Sequence, residues 1–198
     1  MAIITLSELK TFLGISGTSE DAQLTPMVAM VNKYLVNYVD RDIEETTYED
    51  ELYDGPGTVA LTLRNYPIIE VSSVMCNNIE VEEVSYEDRM DNGTDGYWIK
   101  DPELGILWRS GLWPRGRGII LISYTAGYET IPDDVKYAAY VAASYLRRIQ
   151  KKIGIISESL GSYAYSLANP SNGKTLFENA GVAEILDDYK RLDVGMEF

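Results

Sequence analysis

The residue types that most enzymes use for catalysis are scarce in this chain. Among its 198 residues there is no histidine, and Cys76 is the single cysteine. Without imidazole, the sequence excludes Ser-His-Asp and Cys-His catalysis and most zinc and iron sites. Cys76 falls in a predicted strand or turn and is interpreted as a small buried hydrophobic residue. We therefore predict no catalytic site and no metal site.

Residues 168–175, ANPSNGKT, resemble a phosphate-binding loop whose first glycine is replaced by alanine. Such a loop needs a strand before it, a helix after it, and an acidic residue on a second strand for magnesium. Only 23 residues follow Thr175, too few for the rest of such a unit. Pro170 also lacks one of the amides that would contact phosphate. A surface turn is the better interpretation, and no cofactor is predicted.

Two further sequence patterns resemble ligand-binding sites, and each has a simpler interpretation. Residues 91–96, DNGTDG, resemble a calcium loop, but Pro102 stands at the twelfth position, where glutamate is expected. A hairpin loop fits this segment better. The arginines at 109, 115 and 117 alternate with Trp108 and Trp113, a pattern that can stack nucleic-acid bases. Core tryptophans with arginines at their rim are the favoured interpretation.

The charge of the chain is strongly negative and unevenly distributed. The formal net charge is −14. Residues 1–108 hold 6 Lys/Arg against 21 Asp/Glu, a net of −15, and residues 109–198 hold 11 against 10, a net of +1. The chain therefore lacks the broad basic face of a nucleic-acid-binding protein. The spacing of the acids singles out no glycosidase pair, so a solvated acidic surface is the simpler interpretation.

The strongest structural signal is a helix at about residues 131–153. Asp133 and Asp134 match the positive end of its dipole, Thr130 is a candidate cap, and Gly154 is the expected stop. Apolar residues recur at alternating steps of four and three, which predicts a buried seam: Val135, Ala139, Ala142, Leu146, Ile149 and Ile153. Two earlier helices are predicted at Thr5–Leu13, with a Thr5/Glu8 capping box, and from Ser19 to about Arg41.

The remaining segments complete an α+β fold class. Alternating apolar residues between 43 and 124 predict five to seven mainly antiparallel strands with three core tryptophans. Residues 155–167 form an extended arm or a hairpin, and a final helix spans about 178–194. We expect a single domain whose helical core comes from 1–42, 130–153 and 178–194, with the β insertion at about 43–124. No apolar run approaches the roughly 20 residues of a membrane span, and no signal peptide is evident.

Three segments, in order and spacing, resemble one family: ITLSELKTFLGI near the N-terminus, YTAGY followed by IPDDVKYAAYVAASYLRR, and SESLGSYAYSL. They are similar to the head-tail connector (head-completion adaptor) proteins of tailed bacteriophages. The resemblance implies a structural, non-enzymatic protein that forms a homo-oligomeric ring at the capsid vertex of a virion. Its expected partners are the portal protein and the next head-tail joining or tail protein, with synthesis in the host cytoplasm.

The resemblance also suggests two surfaces. An assembly interface is expected at Ser157, Glu158, Leu160, Tyr163, Tyr165, Arg147 and Arg148, although a hairpin packed on its own chain would show the same alternation. A DNA channel with an acidic wall would repel the phosphate backbone, and the candidates for its lining are Glu44, Glu45, Glu49, Asp50, Glu51, Glu80, Glu82 and Glu83. The rival hypothesis is a monomeric protein- or carbohydrate-binding β module with helical flanks.

Overall fold

The protein is described by a computed structural model that covers residues 2–85, 94–150 and 175–191, and the backbone of 157–160 and 163–166. These residues fall into two compact units. The helical unit is drawn from residues 2–40 and 131–190, and the β unit from residues 41–130 together with Arg191. The chain thus leaves the helical unit once and returns to it after the β unit. The prediction that both units act as one adaptor domain stays a prediction.

The first two helices follow their local signals. Helix α1 spans Leu6–Leu13, and its N-terminus carries the predicted capping box, in which Thr5 and Glu8 bind each other's backbone amides. The Thr5 hydroxyl and the Thr5 amide both donate to the Glu8 carboxylate at 2.7 Å, which holds the pKa of Glu8 below its usual value. Helix α2 spans Asp21–Val39 and contains Pro26. Its six buried residues lie at helical spacing and face the interior of the unit: Leu24, Met27, Val28, Val31, Leu35 and Val39.

The third helix, α3, spans Asp133–Gln150 and packs against both α1 and α2. It begins two residues later than predicted, so Thr130 lies too far upstream to cap it. The inner face is made of small side chains, which lets the neighbouring helices come close: Val135, Ala138, Ala139, Ala142 and Ala143. Leu146 and Ile149 are only partly buried, so the tightly packed part of the seam ends at Ala143. Residues 151–153 lie outside the described residues.

The C-terminal segment differs from the prediction of one helix. It forms two short helices, α4 at Leu176–Ala180 and α5 at Ala183–Asp187. Gly181 separates them in a left-handed conformation at φ 76°, because this glycine ends α4. The two helices are tied to α2, since Phe177 packs on the Tyr38 ring and the Tyr38 hydroxyl donates to Asp187 at 2.8 Å. Residues 192–194 of the predicted helix lie outside the described residues.

The described part of the β unit contains seven strands, all paired antiparallel, as the sequence predicted. Their bounds are β1 Thr46–Pro56, β2 Ala60–Thr62, β3 Ile68–Cys76, β4 Ile79–Glu80, β5 Tyr97–Asp101, β6 Ile106–Arg109 and β7 Arg115–Ala126. One sheet has the order β1-β7-β3-β4, and the other has the order β2-β6-β5. Together with the helices, these sheets establish the α+β class.

Inward-facing residues of both sheets form the core of the β unit. Trp113, Leu107, Ile120, Ile122 and Tyr124 are fully buried there, together with Cys76 at 4% exposure. The prediction of three core tryptophans is therefore right only for Trp113. Trp98 and Trp108 are half-buried, because the period of two along β5 and β6 directs them to the sheet face opposite Leu107.

A glycine fixes the end of β7. Gly127, within the YTAGY segment, has φ 109°, a conformation that side-chain-bearing residues rarely adopt. A Cβ atom at this position would also collide with the carbonyl group of Glu44. Gly127 therefore allows the chain that leaves β7 to lie directly against the chain that enters β1.

The last strands form a small hairpin after α3. Strand β8, Ser157–Leu160, pairs antiparallel with β9, Tyr163–Ser166. Of the two predicted alternatives for residues 155–167, an extended arm or a hairpin, the described residues 157–160 and 163–166 show hairpin pairing, and the rest of the range lies outside the described residues. Among the described helices, none has the length and apolar character required to cross a membrane.

Candidate assembly surfaces

The acidic residues predicted to line a channel lie on or beside β1 and on or after β4, the two edge strands of the four-stranded sheet. Glu82 and Glu83 follow β4 on a segment whose backbone pairs with Tyr97 of β5. Strands β1 and β4 each have one partner, because the sheet order places them at its ends. One exposed group lies on or beside β1, and the other lies on or just after β4: Glu45, Glu49 and Asp50, and Glu80, Glu82 and Glu83. Three interstrand steps separate the edges by about 14 Å. This distance exceeds the screening length of about 8 Å at physiological salt, so the two groups act independently.

The β1 edge is shaped and charged in a way that discourages pairing with another strand. Its register shifts between Tyr48 and Glu51, and Asp50 within this bulge has φ 48°. The Asp50 amide donates to the Ser123 hydroxyl at 3.0 Å, which fixes the bulge on β7. Bulges and charged side chains are common protections of exposed edge strands. The acids of β1 therefore have a structural role besides any role in a channel.

Glu51 is bound inside a hydrogen-bonded cluster and does not present a free charge. Its carboxylate accepts hydrogen bonds from the hydroxyls of Tyr53 at 2.5 Å and Tyr124 at 2.6 Å. Arg64 donates from Nη1 to the other carboxylate oxygen at 3.0 Å. Burial raises the pKa of both tyrosines well above the usual value, so they stay neutral donors. This placement argues against Glu51 as a residue of a channel lining.

Glu44 is also set apart from the exposed acids. It is half-buried, and its backbone forms a parallel bridge with Tyr128. Its carbonyl oxygen accepts a hydrogen bond from the Thr46 hydroxyl at 3.1 Å. The residue thus anchors the start of β1 against the end of β7. Of the eight predicted lining residues, the six exposed ones remain candidates.

The two arginines predicted for the assembly interface have different surroundings. The Arg147 guanidinium donates through Nε and Nη2 to the Glu20 carboxylate, with both distances 2.9 Å. This two-pronged pair ties α3 to the start of α2, so Arg147 is engaged within its own unit. Arg148 is exposed, with its guanidinium carbon 5.3 Å from the centre of the Tyr145 ring. Arg148 is therefore the better candidate for contact with another protein.

The hairpin brings four of the predicted interface residues to one side. In its register Glu158 lies opposite Tyr165, and Leu160 lies opposite Tyr163. Because opposite residues share a face and positions two apart along a strand share it too, these four belong to the same face. Ser157 pairs with Ser166 and belongs to the other face. The sequence predicted that residues of this segment alternate between two faces, but only the structure shows which residues lie opposite each other.

The other candidate ligand sites form structural contacts where they are described. Arg109 donates to both carboxylate oxygens of Asp95, at 3.1 and 2.7 Å, and lies 5.5 Å from the Trp113 ring centre. The arginine thus sits at the rim of a core tryptophan, as interpreted from the sequence. Thr175, the last residue of the phosphate-loop-like segment, caps α4 with its side chain. The preceding residues, 168–174, lie outside the described residues.

The three-stranded sheet carries an aromatic face that was not predicted from the sequence. Trp98 and Trp108 lie opposite each other in the β5–β6 register, with ring centres 6.0 Å apart in an edge-to-face arrangement. The Lys100 ammonium lies 5.0 Å from the centre of the Trp108 ring. Because Trp98 directly follows Tyr97 in a strand, their side chains are expected on opposite faces, which could have indicated that Trp98 faces away from the core. Only the strand pairing shows that Trp98 and Trp108 meet. Within the described ranges, no cluster of three acidic or cysteine side chains is arranged to hold a metal ion.

The residues singled out by the sequence lie on strand edges, a hairpin and exposed helix positions, as in structural proteins that work through contacts. The chain belongs to the head completion protein family, which matches residues 2–191. This match confirms the resemblance to head-tail connectors of tailed phages.

Two solved structures show the same fold at low sequence identity. A chain in the neck of a native gene transfer agent particle, computed with C12 symmetry, has a TM-score of 0.54 and 14% identity, covering 96% of this chain and 90% of that chain. A chain in the neck of an empty particle, computed with C6 symmetry, has a TM-score of 0.50 and 13% identity, covering 98% and 92%. No curated protein matches the chain.

Proposed function

We propose that this chain is a structural adaptor of a phage or prophage particle, in which copies form a ring between the portal and the next tail protein. The observation that carries the proposal is the family match over residues 2–191, which spans both the helical and the β units. The solved chains with this fold belong to particle necks computed with C6 and C12 symmetry, which supports a cyclic arrangement of copies. Synthesis in the host cytoplasm and residence at the head–tail junction follow from this role.

DNA would pass through the centre of such a ring, and the acidic edges suit that passage. A basic wall would bind each phosphate and slow the movement of the duplex, whereas carboxylates repel it at short range. The β1 group of Glu45, Glu49 and Asp50 lies on or beside one edge strand of the four-stranded sheet, and the β4 group of Glu80, Glu82 and Glu83 lies on or just after the other edge strand. In this proposal one group faces the channel, and the other faces outward and serves solubility.

The hairpin of β8 and β9 is the proposed assembly element. Its face of Glu158, Leu160, Tyr163 and Tyr165 combines one charge with three apolar or aromatic residues, a composition typical of protein interfaces. Arg148, exposed near the end of α3, would add a charged contact to this interface. The proposed partners are a neighbouring copy and the portal or tail protein on either side of the ring.

Removal of the gene from the virus or prophage that encodes it tests the function. We expect DNA-filled heads that fail to join tails, and restoration of complete particles when the wild-type gene is supplied in trans. Electron microscopy of necks from the restored particles should then show this chain as a ring. Normal tail joining without the protein, or a single copy per neck, would overturn the proposal.

One observation favours the alternative of a monomeric binding module. The half-buried Trp98–Trp108 pair with Lys100 alongside resembles the aromatic platforms on which proteins stack sugars or peptides. Glycan-array and peptide-array binding by the purified protein, lost on Trp108→Ala with the fold retained, would support this alternative. The same protein would then be dispensable for joining heads to tails.

A further inference from the structure

The long helix α2 is almost free of charge. Between Asp21 and Asp40 the chain has one charged residue, Lys33, although 24% of all residues in the protein are charged. A helix at the surface of a globular protein normally carries charged residues on its outer side. Charged residues are therefore scarce on the exposed side of α2 as well as on its buried side.

The outward side of α2 is exposed and largely apolar. We define the α2 outer face by six exposed residues at helical spacing, opposite the buried residues of the helix: Pro26, Ala29, Met30, Lys33, Tyr34 and Asn37. Met30 is 41% exposed and Tyr34 is 47% exposed, which is high for large apolar side chains. Single exposed apolar residues are ordinary, but here two lie one helical turn apart in an uncharged surrounding.

The composition of this face matches that of a protein interface. Pro26 and Ala29 are small and leave room for another backbone to approach, as helix packing requires. Met30 adapts its shape to a partner, and Tyr34 offers a large contact area with little loss of side-chain entropy. Tyrosine and methionine are enriched in interfaces, and charged residues are depleted at their centres.

We infer that a second copy of this chain covers the α2 outer face, an inference that rests on the proposed ring. Each copy carries a net charge of −14, so contacts between acidic surfaces of neighbours would be repulsive. The α2 outer face avoids that repulsion and adds one positive charge. Lys33 forms no ion pair with a carboxylate of the described residues, and an acidic neighbour supplies carboxylates in plenty. A single cation is too little to hold duplex DNA.

The size of the face explains how copies could remain separate before assembly. From Pro26 to Asn37 the helix rises about 17 Å, and a helix is about 10 Å wide. The footprint is therefore on the order of 200 Å², well below the roughly 800 Å² per partner of a stable complex. Contact at this face becomes stable only when neighbours are held side by side at high effective concentration, as in a ring.

Photo-crosslinking tests the occupant of the face. The probe is p-benzoylphenylalanine in place of Tyr34, in the full chain, in necks assembled in the producing cells. The matched control carries the same probe in place of Tyr137, which is also a tyrosine, belongs to the same helical unit and is 50% exposed. We expect covalent dimers of this chain from position 34, at a yield at least tenfold above that from position 137.

The outcomes separate this inference from the proposed function. Crosslinks from position 34 to a different particle protein would overturn the inference, as would equal yields from both positions or no crosslinks in fully assembled necks. The mass of the wild-type neck complex reports on the ring independently, and a single copy there would overturn the proposed function itself. As a second variant, Met30→Glu should lower incorporation into necks at least fivefold while the circular dichroism spectrum stays unchanged. Unchanged incorporation of this variant would also refute the inference.

Discussion

The hydrogen-bonded cluster around Glu51 should make a large contribution to the stability of the β unit. The Tyr53 hydroxyl donates to the Glu51 carboxylate, lies 2.9 Å from the Tyr124 hydroxyl, and accepts the Arg64 amide N–H at 3.0 Å. Tyr53 is 5% exposed, and Tyr124 is fully buried. The cluster connects edge strand β1, through Glu51 and Tyr53, with the central strand β7. Loss of one hydroxyl therefore weakens the attachment of an edge strand.

The expected cost can be worked out from these contacts. Tyr53→Phe leaves the Arg64 amide without its acceptor and removes one donor from a carboxylate. Each buried polar group left unsatisfied costs about 1–3 kcal/mol, so we expect a total loss of about 2–3 kcal/mol. Tyr124→Phe removes one bond to Glu51, the contact with the Tyr53 hydroxyl and the hydrogen bond with the Asn65 side chain, but it leaves no backbone amide unpaired. Its expected loss is smaller, about 1–2 kcal/mol.

Urea denaturation followed by tryptophan fluorescence measures both losses. Trp98, Trp108 and Trp113 all lie in the β unit, so the signal reports the unfolding of that unit. The midpoint should fall while the slope stays unchanged, which identifies a change in stability alone. Tyr137→Phe is the control, because this exposed tyrosine should change stability by less than about 0.5 kcal/mol. A loss below about 0.5 kcal/mol for Tyr53→Phe, or a larger loss for Tyr124→Phe, would refute the reasoning.

Three further predictions follow from burial and pairing. Burial holds the pKa values of Tyr48, Tyr53 and Tyr124 above the unfolded value of about 10 and raises the pKa of Tyr97 to about 12. The stability that these neutral tyrosines contribute below pH 10 should therefore fall above pH 10, by up to about 1.4 kcal/mol per pH unit for each tyrosine. Urea midpoints between pH 8 and 11.5 measure this slope, and a flat profile would contradict it. Leu146→Ala should cost about 1–2 kcal/mol, less than a fully buried leucine, because the side chain is partly exposed; a loss above about 4 kcal/mol by thermal unfolding would show tight packing instead. Deletion of Ser157–Ser166 should leave a folded protein that no longer enters the neck, and normal incorporation in electron micrographs would refute the role of the hairpin.

Features that depend on neighbouring residues in the chain could be predicted from the sequence. The Thr5/Glu8 capping box and the predicted end at Leu13 agree with both ends of α1, where Gly14 is the C-cap, because each cap involves residues within one helical turn. The buried positions of α2 followed from their 3.6-residue period for the same reason. The break at Gly181 was also a local signal, as was the Thr175/Glu178 capping box before it. The prediction of one helix rested on the apolar repeat around Val182 and Leu186 and did not use these two signals.

Features that depend on strand pairing could not be predicted in this way. The alternation along β5 and β6 indicates that successive side chains point to opposite faces of the sheet, but it does not show whether the face with Trp98 and Trp108 meets the core. The order of the sheet, which places β1 and β4 at opposite edges, arises from contacts across more than 60 residues, such as Leu52 with Leu121. The same long-range pairing brings the Tyr124 hydroxyl to Glu51, and no local pattern distinguishes Glu51 from the acids around it.

The two acidic edges differ in how much of their charge the fold alone explains. Strand β1 has 11 residues, long enough to pair with a strand of another chain, so its bulge and its acids are accounted for by protection of that edge. Strand β4 has only two residues, Ile79 and Glu80, too few to act as such a template. Protection of β4 against pairing therefore does not explain why Glu80 on this strand and Glu82 and Glu83 just after it are all exposed. In a ring that passes DNA, repulsion of the phosphate backbone does explain it, so the β4 edge is the stronger candidate for the channel wall.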